Sequence, residues 1–448
     1  MSQATVPAAP PSQSPAWGRL DPRATARRLG RGPGPLLLLL AALIPRLLWI
    51  NSFDWRPFND AAWYQQSAVD LAHGLGYLAA GRPTAYFPIG YPGFLAGLFL
   101  VFPADQFTVA LANVALGAGL VLVSLRLFRE IGLSEAEARW TALLIALCPT
   151  LVLYASLGMT ETLFTFLLLS GTSLLLVARR SPSAALAAGL VFGAATLVRS
   201  QVLLLPACML LSLLVLRSWR AGRVLRVAAL LYLGLACVVA PWTLRNWLVL
   251  GTPALVSTND GANLLLGNNP ETRWGSGYPV TARLAQDLEG VTYTEQRTPP
   301  DEAGWDRRVR ARALSYIAAD PLHYLLLWPR KIQRHFGADE LVFDLNGKQA
   351  ALAGADIHHV MAVLAPLRDL FHVAQIGLLL FGLGLAIGCP WLRPAVLFCA
   401  LPVAYFAALS CLFFGEPRFN FPAIPFLIGG GVFVAAALWR ALLPSPTR

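Results

Sequence analysis

The chain is poor in charge: only 13% of its 448 residues are Asp, Glu, Lys or Arg, against about 25% in an ordinary soluble domain. With 56% hydrophobic residues and a mean hydropathy of +0.58, that scarcity excludes a soluble globular protein. Lysine is nearly missing, since Lys331 and Lys348 are the only two lysines among 35 basic residues. The six cysteines (Cys148, Cys208, Cys237, Cys389, Cys399, Cys411) lie in or beside apolar runs and show neither CxxC nor zinc-ligand spacing. They read as small buried apolar residues. No P-loop, G-x-G-x-x-G, G-x-S-x-G or H-E-x-x-H pattern stands in a sensible context, which removes the common nucleotide, esterase and zinc-protease chemistries. The net charge of +11 does not point to nucleic acid, because the arginines sit in short loops between apolar runs, as the positive-inside rule requires.

What is present is a series of long apolar runs, which predicts an all-α polytopic membrane protein. Spans are expected near 34–52, 106–126, 138–156, 162–178, 184–200, 202–217, 227–247, 366–388, 394–413 and 421–440, ten in all. Residues 1–33 read as a disordered cytoplasmic N-terminus, Pro/Ser/Ala-rich and then basic. The run that follows has no A-x-A-like site and is expected to be an uncleaved first helix. Residues 34–247 form the expected transmembrane core, with a first outer loop over 53–105. Residues 248–365 form an extracytoplasmic loop region with juxtamembrane helices, including one capped by Asp301, and 366–448 carry the C-terminal spans.

The segment "YFPIGYPGFLAGLFLVFP" (86–103) sets the orientation. If it does not cross, one side holds 17 Arg and 4 acids, and the other 18 Lys+Arg and 20 acids. That balance puts the basic side in the cytoplasm, and 86–103 is accordingly expected to stay uncrossed. The outer side of a plasma (inner) membrane then receives Asp60, Glu161, Arg199, Arg245, Asn246, Asn268, Glu416 and Arg418, from segments far apart in sequence. Such convergence is the layout of a site at the bilayer surface.

Each of these residues has a plain structural role open to it. Asp60 opens a short helix, with Tyr64 and Ser67 on its face at i+4 and i+7, and is either a helix cap or a general base. Glu161 is either a cap or, with Asp60, part of a two-carboxylate site for the acceptor or a divalent cation. Arg199, Arg245 and Arg418 each suit interfacial snorkelling singly and phosphate binding together, with Arg46 a weaker fourth. Trp242, Trp247 and Tyr64 are candidates to stack on a sugar or prenyl chain, and His358-His359 reads as a loop pair.

The ordered set "FNDAAWYQQSAVDLAHGLGY…PTAYFPIGYPGFLAGLF", "YASLGMTETLFTFLL", "LVRSQ", "APWTLRNWLVLG…VSTNDGANLLLGNNP" and "GEPRFNFPAIPFL" resembles the GT-C fold glycosyltransferases of the dolichyl-phosphate-mannose–protein mannosyltransferase and aminoarabinose-transferase superfamily (glycosyltransferase family 39-like, bacterial branch). The resemblance covers about residues 40 to 440. It implies a hexosyl- or pentosyltransferase that takes a polyprenyl-phosphate-linked sugar and works outside the cytoplasm on a lipid, glycan or protein acceptor. Asp60 matches the family's catalytic Asp, with Tyr64 one turn on, and Glu161 matches the acid of the second outer loop. Arg199, Arg245 and Arg418 are the candidates for the lipid phosphate, with Tyr64, Asn246, Asn268 and Glu416 as substrate contacts. No sizeable soluble segment follows the last expected span, so no appended module indicates the acceptor. The alternative from another class is a transporter or lipid flippase, which predicts internal repeats and polar groups at mid-membrane; no repeat is evident. An inactive scaffold is a third.

Overall fold

The computed structural model describes residues 32–272, 301–389 and 393–442, so the expected disordered stretch 1–33 lies almost wholly outside the described residues. Helix α1 (Pro35–Ile50) starts on a proline, which needs no partner for an N–H at that position. It exposes Leu36, Leu37, Leu40 and Leu48 on its outer side. The chain then leaves the bundle as α2 (Asn59–Ala72), a hairpin of β1 (Leu78–Ala79) and β2 (Arg82–Pro83), and α3 (Gly90–Phe99). Ten residues of helix reach about 15 Å, half of a hydrocarbon core of about 30 Å. Helix α3 by itself is thus too short to cross.

The bundle continues with α4 (Gln106–Ile131), α5 (Glu135–Leu147) and α6 (Pro149–Leu153), the last running into a 3-10 turn to Ser156. The expected span 138–156 is in fact a pair of helices bent by 54° at Cys148. Pro149 forces the residue before it out of helical geometry, and Cys148 is extended at φ −61°, ψ 119°. Next come α7 (Glu161–Val177), α8 (Pro182–Val198), α9 (Leu205–Val215) and α10 (Ala221–Leu250). Small residues let α8 and α10 meet backbone to backbone: a Cβ on Gly189 would overlap the Leu231 carbonyl.

The outer-loop region supplies α11 (Asp260–Gly267), α12 (Glu302–Ala319), α13 (Pro321–Leu326), α14 (Trp328–His335) and α15 (Glu340–Leu352). As expected, Asp301 caps α12, accepting from the Gly304 N–H at 2.9 Å. The chain closes with α16 (His358–Gly388), α17 (Arg393–Leu412), a 3-10 turn over Pro417–Ala423 and α18 (Ile424–Leu442).

This is an all-α, multi-pass membrane architecture. Among the described residues five helices are long and apolar enough to cross a membrane, six if the bent pair counts as one span. Ten were expected; four shorter apolar helices, at 35–50, 161–177, 182–198 and 200–215, fall at the other four expected positions. A continuous apolar core joins the bundle helices, and a second, smaller one joins Ala262, Leu265 and Leu266 of α11 to Trp305, Val309 and Ala313 of α12 and to Phe414. The second core sits over one end of the bundle, where the site lies.

Candidate active site

Asp60 is the second residue of α2, after Asn59 in the left-handed region at φ 50°. Its carboxylate caps nothing: Phe58 stands at the N-cap and no side chain accepts from the first turn. The carboxylate instead faces Arg418, at 3.8 Å. Arg418 in turn donates from Nε to Glu416 at 2.7 Å. Burial pushes the Asp60 carboxyl above the usual carboxylate range; Arg418 pulls it back, and Glu161 and Glu416 push it up further. Tyr64 is held edge-on by Trp63, Phe87 and Tyr91. Burial, and then the Asp60 charge, raise its phenol well above the usual value, so it stays a hydrogen-bond donor.

Behind this pair, α7 begins at Glu161, whose side chain is fully buried. Arg199, at the end of α8, donates to Glu161 at 2.5 Å and from Nε to the Thr160 hydroxyl at 2.7 Å. An isolated charge at that depth is costly, and the arginine offsets it. Glu161 is therefore linked to the cleft through Arg199, which lines it.

Asp60, Tyr64, Thr160, Arg199 and Arg418 line one cleft of about 140 Å³, together with residues 257–263 and 413–419. Five segments distant in sequence meet there, as expected. Among them Thr160, Gln201, Asn259 and Asp260 had not been singled out. The Asn/Gly-rich run "STNDGAN" was the sequence signal for two of them.

Several expected site residues lie elsewhere, each for a visible reason. Arg245 is outside the cleft lining: it donates to the carbonyls of Thr84 (2.8 Å) and Tyr77 (3.3 Å) and lies over the Trp242 ring, bracing the first outer loop against α10. Asn246 accepts from Arg245 and donates to the Ala254 carbonyl at 2.9 Å, closing the turn after α10. Asn268 donates to the Leu412 carbonyl and accepts from the buried Lys331 ammonium, at 2.8 and 2.9 Å. Arg46 is inside the bundle, donating to the carbonyls of Ala42 and Ala146. Gly117 makes room for it, since a Cβ there would lie 2.6 Å from Arg46 Nε. Trp242 is buried and donates to the Val256 carbonyl, Trp247 faces outward, and His358 and His359 open α16.

Sequence reasoning also missed Glu302, masked by the neighbouring cap at Asp301. Its two oxygens accept from the Thr84 hydroxyl and the Ala85 N–H, both at 2.7 Å. Ala85 accepts in turn from the Thr258 N–H. These bonds tie α12 to the loop that carries Phe87 and Pro88 into the cleft. Among the described residues no group of three or more His, Cys, Asp or Glu gathers in a way that could hold a metal ion; Asp60 and Glu416 face Arg418, and Glu161 faces Arg199.

No protein-family model and no curated protein matches the sequence. Solved structures do match. The Archaeoglobus fulgidus oligosaccharyltransferase, in a complex with zinc and sulfate, superposes at a TM-score of 0.51 and 14% identity, over 91% of this chain and 49% of that one. The same organism's oligosaccharyltransferase AglB, in complex with an inhibitory peptide and a dolichol-phosphate, gives 0.51 and 14% over 92% and 52%. ArnT from Cupriavidus metallidurans, bound to undecaprenyl phosphate, gives 0.43 and 15% over 89% and 77%. The chain spans about half the length of the two oligosaccharyltransferase chains. It has the GT-C fold, the expected one.

Proposed function

We propose that this protein is a membrane glycosyltransferase. It moves a sugar from a polyprenyl-phosphate-linked donor to an acceptor outside the cytoplasm, a lipid, glycan or protein, with inversion at the anomeric carbon. The observation that carries the reading is the Asp60 carboxylate, free of any capping role, facing Arg418 in a cleft at one end of an apolar bundle. A donor tied to a long lipid cannot leave the bilayer, so its base and its phosphate site belong at membrane depth.

In the proposed step the acceptor's O–H or N–H gives its proton to Asp60 as its heteroatom attacks the anomeric carbon. The bond from that carbon to the phosphate oxygen breaks, and polyprenyl phosphate leaves with the electron pair. Arg199 and Arg418, held in place by Thr160, Glu161 and Glu416, stabilise its growing charge. Tyr64 donates a further hydrogen bond beside the base.

The test is sugar transfer by the purified protein in nanodiscs, given mixed polyprenyl-phosphate sugars and a membrane lipid extract, with Asp60→Asn run in parallel. Wild type is expected to release polyprenyl phosphate and the variant to lose at least about 100-fold of that rate. Turnover that survives the substitution removes Asp60 from the chemistry.

A further inference from the structure

The helix that carries Asp60 borders a second pocket. Trp63, Gln66, Ser67 and Asp70 recur at helical spacing on the neighbouring face of α2 and line a cavity of about 320 Å³, within the range of small-ligand sites. Its opposite wall is the hairpin. There Leu78 pairs with Pro83 and Ala79 with Arg82, and the turn residues Ala80 and Gly81 both take positive φ, 49° and 73°. That tight turn brings small side chains to the wall and leaves the space open.

Two polar groups in this wall have no hydrogen-bond partner within the described protein and are open to the pocket. Ser67 is 2% exposed and Trp63 7%, and among the described residues neither the Ser67 hydroxyl nor the Trp63 indole N–H has a hydrogen-bond partner. A guest that covers these two groups must hydrogen-bond them in place of water, or it leaves them stranded. The Trp63 ring is fixed by Tyr64, Tyr77 and Phe87, at 5.8, 5.6 and 4.8 Å between centroids. At the rim, Gln66 donates to Asp70 at 3.0 Å, and Leu75 adds an exposed apolar edge.

The chemistry of the lining selects its ligand. An apolar guest would leave Ser67 and Trp63 unsatisfied. An anion would meet the Asp70 carboxylate, and a metal cation would find one carboxylate and no imidazole or thiolate. A neutral polyhydroxylated ring meets all of it, because each hydroxyl both donates and accepts while the ring's C–H face suits the Leu75, Leu78 and Ala79 side. We propose that this pocket is a carbohydrate-binding site that holds a sugar ring of the acceptor beside the catalytic helix. Its place as an acceptor subsite rests on the glycosyltransferase reading; the binding itself does not.

Binding is measured without turnover, by saturation-transfer NMR on the full chain in nanodiscs. The probes are methyl glycosides of glucose, mannose, galactose, arabinose and N-acetylglucosamine. At least one is expected to bind wild type, and to lose tenfold or more in affinity in Asp70→Ala and in Gln66→Ala, which change only the rim. Ser67→Leu, which fills the buried wall, is expected to abolish the signal. Binding should persist in Asp60→Asn while transfer is lost. The proposal falls if no glycoside binds wild type, if the rim variants bind as wild type does, or if Asp60→Asn alone abolishes the signal, which would place the sugar in the cleft. Binding that follows the rim residues while Asp60→Asn still transfers would keep this site and overturn the catalytic assignment.

Discussion

Asp60 illustrates how one residue carries two opposing demands. A base must be deprotonated to work, yet burial favours its neutral form and two further carboxylates reinforce that. Arg418 is the counterweight, at 3.8 Å. The proposed activity should therefore fall as pH drops, along an acid limb lying above the ordinary aspartate value of 3.8. In Arg418→Gln the limb should move to still higher pH, because the group that lowers the Asp60 pKa is gone; a pH–rate profile of both proteins checks the sign. The pair behind it makes a stability prediction. With Glu161 fully buried and Arg199 only 13% exposed, Arg199→Met strands a buried charge and should cost about 3–5 kcal/mol. Adding Glu161→Gln should recover part of that loss. Thermal unfolding in detergent measures both, and a double variant no more stable than the single one would show that the ion pair is not the cause.

At the scale of elements, the cleft is assembled by loops that hold one another. Helix α12 reaches the first outer loop through Glu302, and Lys331 of α14 donates to the carbonyls of Cys411 and Phe413 and to Asn268. The turns bearing Phe87, Pro88 and Phe413 are thus tied from behind. Glu302→Ala leaves two buried donors without an acceptor, a loss of about 1–3 kcal/mol for each group stranded. Since those donors position the cleft wall and take no part in bond making, KM for the lipid donor should rise more than kcat falls. Steady-state kinetics separates the two, and a pure kcat effect would argue against a positioning role.

The whole molecule has two chemically different ends. One holds Asp60, Arg199 and Arg418. The other lies at the far end of α7, about 24 Å along the helix from Glu161, where Arg180 pairs with Glu130, Arg129 and Arg139 with Glu135, and Arg440 with Glu137. If the basic end is cytoplasmic, a cysteine at Asp54 should be labelled only from outside the cell and one at Arg180 only from inside. Both are read in a variant lacking the six native cysteines, and labelling of both from one side would overturn the orientation. Much of this was legible in the chain itself. Apolar runs fix where helices form because an unpaired backbone has no partner in lipid, and the shortness of α3 and the charge asymmetry are composition facts. Asp60, Glu161, Arg199 and Arg418 were visible because charge is so scarce among those runs. Tertiary structure alone decided which of the arginines face the cleft. Arg245 and Arg46 have the same side chain as Arg418, but backbone carbonyls of neighbouring segments claim theirs. Which partner reaches a guanidinium first depends on helix packing and on gaps such as Gly117, contacts between residues tens to hundreds of positions apart that no local pattern records.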